Sequence, residues 1–204
     1  MPINLFNKKL EKKFYTRELL TVAKDLLGKV LIKRSGENIF AGTIVEVEAY
    51  HGDFDQAAHS YRGMTKRTEV MFKEGGNLYV YFTYGTHHCC NVVTGKKGQG
   101  TAVLIRAVEP VKGIELMIKN RFGRKLKNEK EIFNLTSGPG KVCKAFDLDR
   151  SHSGIDLTGN KIFLASGKKI KAKEIGISKR IGITKSVNLP WRFFIKNNPY
   201  LSRK

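Results

Sequence analysis

The segment KVLIKRSGENIFAGTIVEVEAY, residues 29–50, decides how the chain folds. Two runs rich in β-branched and aromatic residues, KVLIKR and FAGTIVEVEAY, stand on either side of the polar sequence SGEN at 35–38. Strand-forming runs that flank a short polar turn are typical of a β-hairpin. The segment therefore predicts two antiparallel strands, the second of which ends at Tyr50.

Further strand-like runs follow along the chain. They are NLYVYFTY at 77–84 and TAVLIRAVEP at 101–110, with the turn-like TGKKGQG between them. No internal repeat and no linker is visible. The order of elements predicts one α+β domain over residues 1–204 with an antiparallel sheet. Residues 1–13 are expected to form a poorly ordered basic N-terminus.

A helix is predicted ahead of the first strand. Thr16 is the expected N-cap, Glu18 adds negative charge to the first turn, and Gly28 suits the left-handed position after the helix end. The apolar stripe at helical spacing comprises Leu19, Leu20, Ala23, Leu26 and Leu27.

The charge of the chain is its most unusual property. Of 204 residues, 38 are Lys or Arg and 18 are Asp or Glu, a formal net charge of +20. This excess predicts attraction to a polyanion, either nucleic acid or an anionic membrane surface. Residues 161–204 contain twelve basic residues and one acid together with many apolar residues. A packed basic face is therefore preferred to a solvated cationic tail.

No stretch of the sequence predicts a membrane segment or an export signal. No apolar run approaches about 18 residues, and the N-terminus lacks an apolar middle and a small-residue cleavage site. Three cysteines are an odd number, and Cys89 and Cys90 are adjacent, so a disulfide framework is not expected. We expect a cytoplasmic protein with no membrane partner.

Two carboxylates and a tyrosine share one predicted face at the end of the second strand. Alternate side chains of a strand point to opposite faces. One face is expected to carry Ile44, Glu46, Glu48 and Tyr50, and the core face Val45, Val47 and Ala49. A carboxylate beside a tyrosine can serve as a general base. Taken alone, however, the segment favours an ordinary solvent-facing strand surface.

The run NLYVYFTYGTHHCCNVV, residues 77–93, is rich in tyrosine. Tyr79 and Tyr81 are expected on the same strand face, and Tyr84 next to Gly85 is expected at a hairpin tip. Aromatic residues in strands are usually core residues, and this interpretation fits Tyr79 equally well. A tyrosine at a turn of a very basic protein favours stacking on bases or insertion between them.

The sequences HHCC at 87–90 and TSGPGK at 136–141 invite two further interpretations. Adjacent strand residues point to opposite faces, and paired zinc ligands are normally spaced two to four residues apart, so no metal site is predicted. TSGPGK lacks the spacing of a nucleotide phosphate loop. A helix that starts near Ser137, with Lys141, can bind one backbone phosphate or be a plain capped helix start.

Several longer motifs, in one order and spacing, resemble a known enzyme family. They are IVEVEAY…AAHSYRG, VMFKEGGNLYVYFTYG, CCNVV, VLIRAVEP and SGPGKVCKAF, and LLGKVLIKR and RIGITKSVNLPWRFF also fit. From about Phe14 to Leu201 the chain is similar to the 3-methyladenine (alkyladenine) DNA glycosylases of the mammalian methylpurine type. The resemblance implies a mixed domain around a curved antiparallel sheet, with a protruding β-hairpin that enters the minor groove.

The resemblance also implies an activity. Family members bind duplex DNA, rotate an alkylated or deaminated purine out of the helix and hydrolyse its N-glycosidic bond, leaving an abasic site for base excision repair. Glu48 matches the general base that activates water, Arg106 matches an arginine that holds that water, and the backbone near Ile181 falls where a further contact to it is made. A monomer without a cofactor is expected, working on the bacterial nucleoid.

The same resemblance assigns the base-binding residues. Tyr50, His59 and Tyr81 match the residues that sandwich the extruded base. Tyr84 matches the hairpin tyrosine that fills the gap in the duplex. Asn91 matches the asparagine at the pocket floor that discourages undamaged guanine.

Contacts to the DNA backbone are expected from Arg62, Arg67 and Lys141. The chain departs from the family pattern at Thr65–Thr68, where family members often read Thr-Pro-Arg-Asn, and at positions 87 and 88, where histidines replace other, partly aromatic residues. These departures affect DNA-backbone contacts and damage preference, and they leave the catalytic set intact.

Two alternatives to water-based excision follow from composition. A lysine nucleophile would form a Schiff base and nick the strand, and the many lysines do not exclude it, whereas the resemblance favours a water nucleophile. The second alternative is a non-catalytic basic nucleic-acid-binding module, which explains the charge and the tyrosines but gives Glu46 and Glu48 no task.

Overall fold

A long strand, β2 (Asn38–Tyr50), runs through the middle of the protein. The computed structural model describes residues 8–83 and 85–203. The other strands are β1 (Val30–Ser35), β3 (Leu78–Thr83), β4 (His87–Thr94), β5 (Thr101–Lys112), β6 (Ile162–Ala165), β7 (Ile175–Ser178) and β8 (Arg192–Ile195). The helices are α1 (Lys12–Tyr15), α2 (Leu19–Leu26), α3 (Ile114–Phe122) and α4 (Pro139–Ala145), with 3₁₀ turns at Glu69–Phe72, Glu129–Asn134, Arg150–His152 and Ala172–Glu174. None of the helices in this described part is long and apolar enough to cross a membrane.

The strands form one curled antiparallel sheet. Its main order is β3-β4-β5-β2-β1-β6. Because β2 is long, it has two neighbours along one edge: β1 pairs with it as far as Thr43, and β8 pairs with residues 46–48. Strand β7 lies outside β8. The predicted α+β fold, with a curved antiparallel sheet and a β3–β4 hairpin, is confirmed.

Helices cover one face of this sheet. Helix α2 packs on β2, and α4 packs on β4 and β5. Members of the main core cluster that have no exposed surface include Leu26, Leu31, Val47, Ile105 and Phe146. Because full burial of one such side chain contributes about 1.5–3 kcal/mol, this layer holds the sheet in place and makes it a rigid support.

The start of α2 differs from the prediction. Thr16 follows α1, and Glu18 is the N-cap of α2. The Glu18 carboxylate accepts hydrogen bonds from the backbone N–H groups of Leu20 (2.8 Å) and Thr21 (2.7 Å). Two oxygens satisfy two helix amides at once, and their charge favours the positive end of the helix dipole. Gly28 follows the helix with a φ of 80°, the left-handed conformation predicted for it.

Three register shifts interrupt the pairing of β2 with β5, one at Ala41–Gly42 and two close to the site. Ile44 pairs with Val108 and Glu46 pairs with Ala107, so Val45 is not paired with a residue of β5. The next pair is Val47 with Ile105, so Arg106 is not paired with a residue of β2. A bulge bends the strand and re-aims side chains. Ile44 therefore belongs to the main core cluster, whereas Val45 is buried outside it. The predicted alternation of faces is wrong for these two residues.

The chain near the N-terminus packs on β6. Lys9 pairs with Ala165, the Leu10 amide donates a hydrogen bond to the Leu164 carbonyl (2.9 Å), and Leu10 is buried. Residues 8–10 therefore add to the edge of the sheet at β6. The rest of the predicted poorly ordered segment, residues 1–7, lies outside the described residues.

Candidate active site

A cavity of about 620 Å³ opens at the end of β2. Its walls come from the loop after β2, the β3–β4 hairpin, β5 and the loop 181–185. Six of the residues predicted for the site line it: Tyr50, His59, Tyr81, Asn91, Arg106 and Ile181. A volume of this size falls within the usual range for a small-molecule site, about 300–1,000 Å³.

Glu48 lies directly behind the wall of this cavity and has no exposed surface of its own. Its Oε2 accepts hydrogen bonds from the Tyr50 hydroxyl (2.9 Å) and from Arg106 Nη1 (3.2 Å). Its Oε1 accepts one from the backbone N–H of Ile181 (2.7 Å). All three donors line the cavity. A carboxylate offers about four lone-pair sites, and three donors reach Glu48 from residues 8–83 and 85–203, so it keeps capacity for one more.

Glu46 holds the Arg106 side chain in place. Arg106 donates through Nε to Glu46 (3.1 Å) and through Nη1 to Glu48 (3.2 Å). Glu46 also accepts hydrogen bonds from Arg192 Nε (2.8 Å) and from the amide (2.6 Å) and hydroxyl (2.7 Å) of Ser202. Burial alone would raise the pKa of Glu46, but these hydrogen bonds and the charge of Arg106 outweigh burial and lower it. Glu46 is therefore a buried carboxylate anion.

Tyr50 stands between the cavity and buried charges. Burial, followed by the negative charge of Glu48, raises the pKa of Tyr50 well above its ordinary value. The hydroxyl therefore stays protonated and donates to Glu48. The Arg180 guanidinium lies 4.5 Å from the centroid of the Tyr50 ring and covers one of its faces.

His59 and Tyr81 form an aromatic wall. Their ring centroids are 4.4 Å apart and their planes are nearly perpendicular, at 80°. Tyr79 stacks behind Tyr81 at 5.4 Å, and its hydroxyl lies 3.3 Å from His59 Nδ1. Tyr79 is buried, so the core interpretation is correct for this residue. It supports the wall from behind.

His59 is neutral at pH 7. Protein atoms packed around the ring, and then the charge of Arg67, lower the pKa of His59 to about 4. This holds even though the residue is exposed where it lines the cavity. A cation in the cavity therefore meets an uncharged imidazole ring.

Asn91 and Cys89 reach the cavity from β4. Asn91 is buried and sits between Tyr79 on β3 and Leu104 on β5 in the sheet register, which fixes its position. Burial, and then the neighbouring Cys90, raises the pKa of Cys89 to about 12, so this thiol stays protonated. Cys90 belongs to the core. Within residues 8–83 and 85–203, no group of three or more His, Cys, Asp or Glu side chains could hold a metal ion.

The two arginines predicted to contact the DNA backbone lie in an exposed loop ahead of the 3₁₀ turn at 69–72. Arg62 is exposed there. Arg67 is also exposed, and its guanidinium lies 6.0 Å from the centroid of the Tyr81 ring, against the aromatic wall. Tyr84, the predicted hairpin wedge, lies outside the described residues.

Lys141 is half-buried at the start of α4. Its Nζ donates hydrogen bonds to Asn134 and, at 3.4 Å, to the Ser137 hydroxyl. The helix predicted to start near Ser137 begins at Pro139, and its N-cap, Gly138, makes no side-chain hydrogen bond. Proline suits this position because its missing N–H would be unpaired there anyway.

Two groups beneath the cavity were not predicted from the sequence. Asp55 and Arg180 form a buried ion pair, and Ser202 closes the network around Glu46. Local sequence carries no signal for them because the Asp55–Arg180 partners are 125 residues apart and the Glu46–Ser202 partners are 156 apart.

Comparisons with known proteins show a match over nearly the whole chain. Residues 13–199 match the family described as Methylpurine-DNA glycosylase. A protein of Carboxydothermus hydrogenoformans is 48% identical over 196 residues, which cover 96% of this chain and 99% of the relative. One of Alkaliphilus oremlandii is 48% identical over 202 residues, covering 96% and 100%, and one of Clostridium novyi is 45% identical over 204 residues, covering 97% and 100%. Each of the three bears the name "Putative 3-methyladenine DNA glycosylase".

Proposed function

The chain belongs to the methylpurine-DNA glycosylase family and so is a DNA glycosylase, a hydrolase of N-glycosyl bonds, and from this premise we propose that it excises damaged purines from duplex DNA with Glu48 as general base. One observation supports the proposal most: the Glu48 carboxylate is bound by three donors, from Tyr50, Arg106 and Ile181, that all line one cavity. The carboxylate thus lies one hydrogen bond from the space that would receive the base.

The aromatic wall is suited to a purine that has left the helix. Unstacking a base costs a few kcal/mol, and less when the base is damaged, while stacking on an aromatic face returns about 1–3 kcal/mol. Tyr50, His59 and Tyr81 would supply those faces. An alkylated purine carries positive charge, which favours contact with electron-rich rings. The neutral His59 does not oppose that charge.

A water molecule between Glu48 and the sugar would be the nucleophile. As the glycosidic bond breaks, positive charge grows on the sugar, and a nearby carboxylate stabilises that charge and accepts the proton of the water. Because Glu48 is fully buried, the water needs room. It would donate to the acceptor site of Glu48 that Tyr50, Arg106 and Ile181 leave free.

Two further residues would select and hold the damaged base. Asn91, fixed in β4 at the cavity, would disfavour undamaged guanine. Tyr84 would fill the gap that the extruded nucleotide leaves in the duplex. The net charge of +20 would draw the protein to phosphates and allow it to scan undamaged DNA.

The activity is tested with a labelled duplex that contains hypoxanthine or 3-methyladenine at one position. We expect strand breaks at the lesion only after hot alkali, because an abasic site is alkali-labile. Breaks before alkali would indicate a lysine nucleophile. Tight binding with no breaks in either sample, for either lesion, would instead support the non-catalytic nucleic-acid-binding module.

The role of Glu48 is tested by Glu48→Gln, which keeps the size of the side chain and removes the base. Loss of a general base lowers rates by about 10²–10⁴-fold, and we expect a loss in that range with unchanged affinity for undamaged DNA. Glu109→Gln is the matched control, since Glu109 lies on β5 outside the cavity and accepts a bond from Asn198 (2.9 Å) that glutamine can also accept. Equal excision by both variants would remove Glu48 from the mechanism.

A further inference from the structure

A buried ion pair lies directly beneath the cavity. The side chains of Asp55 and Arg180 have no exposed surface. Arg180 donates through both terminal nitrogens to the two carboxylate oxygens, Nη2 at 2.8 Å. The same nitrogens also donate to the backbone carbonyls of Ala49 (2.9 Å) and Ser186 (3.3 Å). A forked guanidinium held at four acceptors has one orientation.

This pair joins the parts that form the site. Asp55 accepts a hydrogen bond from the Ala57 amide (3.1 Å), in the loop that carries His59. Arg180 immediately precedes Ile181, whose amide binds Glu48 at 2.7 Å. The Arg180 guanidinium also covers one face of the Tyr50 ring at 4.5 Å. One ion pair therefore connects both cavity loops and the ring that donates to Glu48.

We propose that Asp55 and Arg180 are positioning residues for the hydrolysis: their pair fixes the Ile181 amide against Glu48 and fixes the Tyr50 ring against the extruded base. This inference rests on the proposed function. Neither side chain touches the cavity, so the pair acts only through its neighbours. Because a displacement of about 1 Å at a reacting group can lower a rate about 10²-fold, loosening Arg180 should slow the chemical step more than it weakens DNA binding.

Arg180→Lys is the first test. Lysine keeps the positive charge but cannot bind both oxygens of Asp55 in one plane together with the Ala49 and Ser186 carbonyls. We expect the single-turnover excision rate at saturating protein to fall by about tenfold to a hundredfold, with the Kd for undamaged duplex changed less than twofold. Because the protein is saturating, a smaller folded fraction does not itself lower this rate.

Asp55→Asn is the second variant, in case lysine at 180 prevents folding. Asparagine keeps the shape and the acceptor for the Ala57 amide and removes the charge. The matched control is Lys33→Met. Lys33 is a buried cation on β1 whose Nζ contacts Asp147 (3.3 Å), outside the cavity. The control should lose stability and keep the wild-type rate.

The hydrogen-exchange rate of the Ile181 amide, measured by NMR, is a readout independent of activity. This rate should increase in Arg180→Lys and Asp55→Asn and stay at the wild-type value in Lys33→Met. Slower excision together with faster exchange at Ile181 supports the proposal. A lower Tm with wild-type excision and wild-type exchange would overturn it. If the wild type excises no lesion while exchange still accelerates in the variants, the proposed function fails and the positioning of the amide stands.

Discussion

Replacing Glu46 by glutamine tests the buried charge network that supports Arg106. Glu46 has no exposed surface and accepts hydrogen bonds from Arg106, Arg192 and both donors of Ser202. Glutamine matches its size but carries no charge. Its amide group would also face at least one of these donors with another donor. Arg192 would lose the charge of its Glu46 partner, and Arg106 would keep the charge of Glu48.

The expected cost follows from these contacts. Breaking a buried ion pair by removing one partner costs about 3–5 kcal/mol. Glutamine keeps some of the hydrogen bonds, so we expect a loss near the lower limit, about 3 kcal/mol in the free energy of unfolding. For a chain of this length each kcal/mol lowers the Tm by about 2–4 °C, which gives a shift of about 6–12 °C at pH 7.

The pH dependence of this difference has a definite sign. The pKa of Glu46 is lowered in the folded protein from its ordinary 4.5. Its stabilising effect is therefore complete above about pH 4.5 and is lost as the pH falls through the lower, folded value. The difference in unfolding free energy between wild type and Glu46→Gln should be full at pH 7 and shrink below pH 4.5.

Chemical unfolding followed by circular dichroism at pH 7, 5 and 4 measures this difference. Glu37→Gln is the control, because Glu37 is exposed in the β1–β2 turn and should change stability by less than about 0.5 kcal/mol. A difference below about 1 kcal/mol for Glu46→Gln at pH 7 would contradict the magnitude. A difference that stays constant down to pH 4 would contradict the assignment of Glu46 as a buried anion.

Three further predictions concern the aromatic wall, the hairpin and the surface charge. Unfolded His59 takes up its proton near pH 6.5 and folded His59 near pH 4, so the unfolding free energy of the wild type should fall as the pH is lowered from 6.5 to 4. His59→Gln should reduce this pH dependence, and identical plots of unfolding free energy against pH for the two proteins would contradict the low pKa. Tyr84→Ala should weaken binding to lesion DNA by about 1–3 kcal/mol and binding to undamaged DNA less, as measured by fluorescence anisotropy; equal losses would count against a wedge. Raising the salt from about 50 to 200 mM should weaken binding to undamaged duplex by several orders of magnitude, and a flat salt dependence would show that phosphate contacts contribute little.

The sheet could be predicted because its signals are local. The hairpin of β1 and β2, the tyrosine-rich β3 and the apolar β5 each show strand-forming residues between turn residues. The faces of β2 could not be fully predicted, because the bulges at Val45 and Arg106 depend on how β2 and β5 meet. Those same bulges place Arg106 beside both Glu46 and Glu48.

The long sequence motifs predicted the residues of the candidate site but not the residues that hold them in position. Tyr50, Glu48 and Arg106 belong to motifs that extend over several residues. Asp55 and Arg180 are 125 residues apart in the sequence, and they pair because two loops bring them together in the fold. The N-cap of α2 was wrongly predicted at Thr16 for a related reason, since the way a short turn packs decides which residue caps the helix.

In the proposed mechanism, Glu48 directs a water at the sugar of an extruded purine nucleotide. The most direct test is a crystal structure of the protein with a duplex that carries a positively charged sugar analogue of the transition state. We predict the analogue in the cavity beside Tyr50 and Tyr81, with a water about 2.6–3.2 Å from a Glu48 oxygen and facing the anomeric position. An analogue bound elsewhere on the protein, or a Glu48 carboxylate that contacts neither water nor sugar, would contradict the claim.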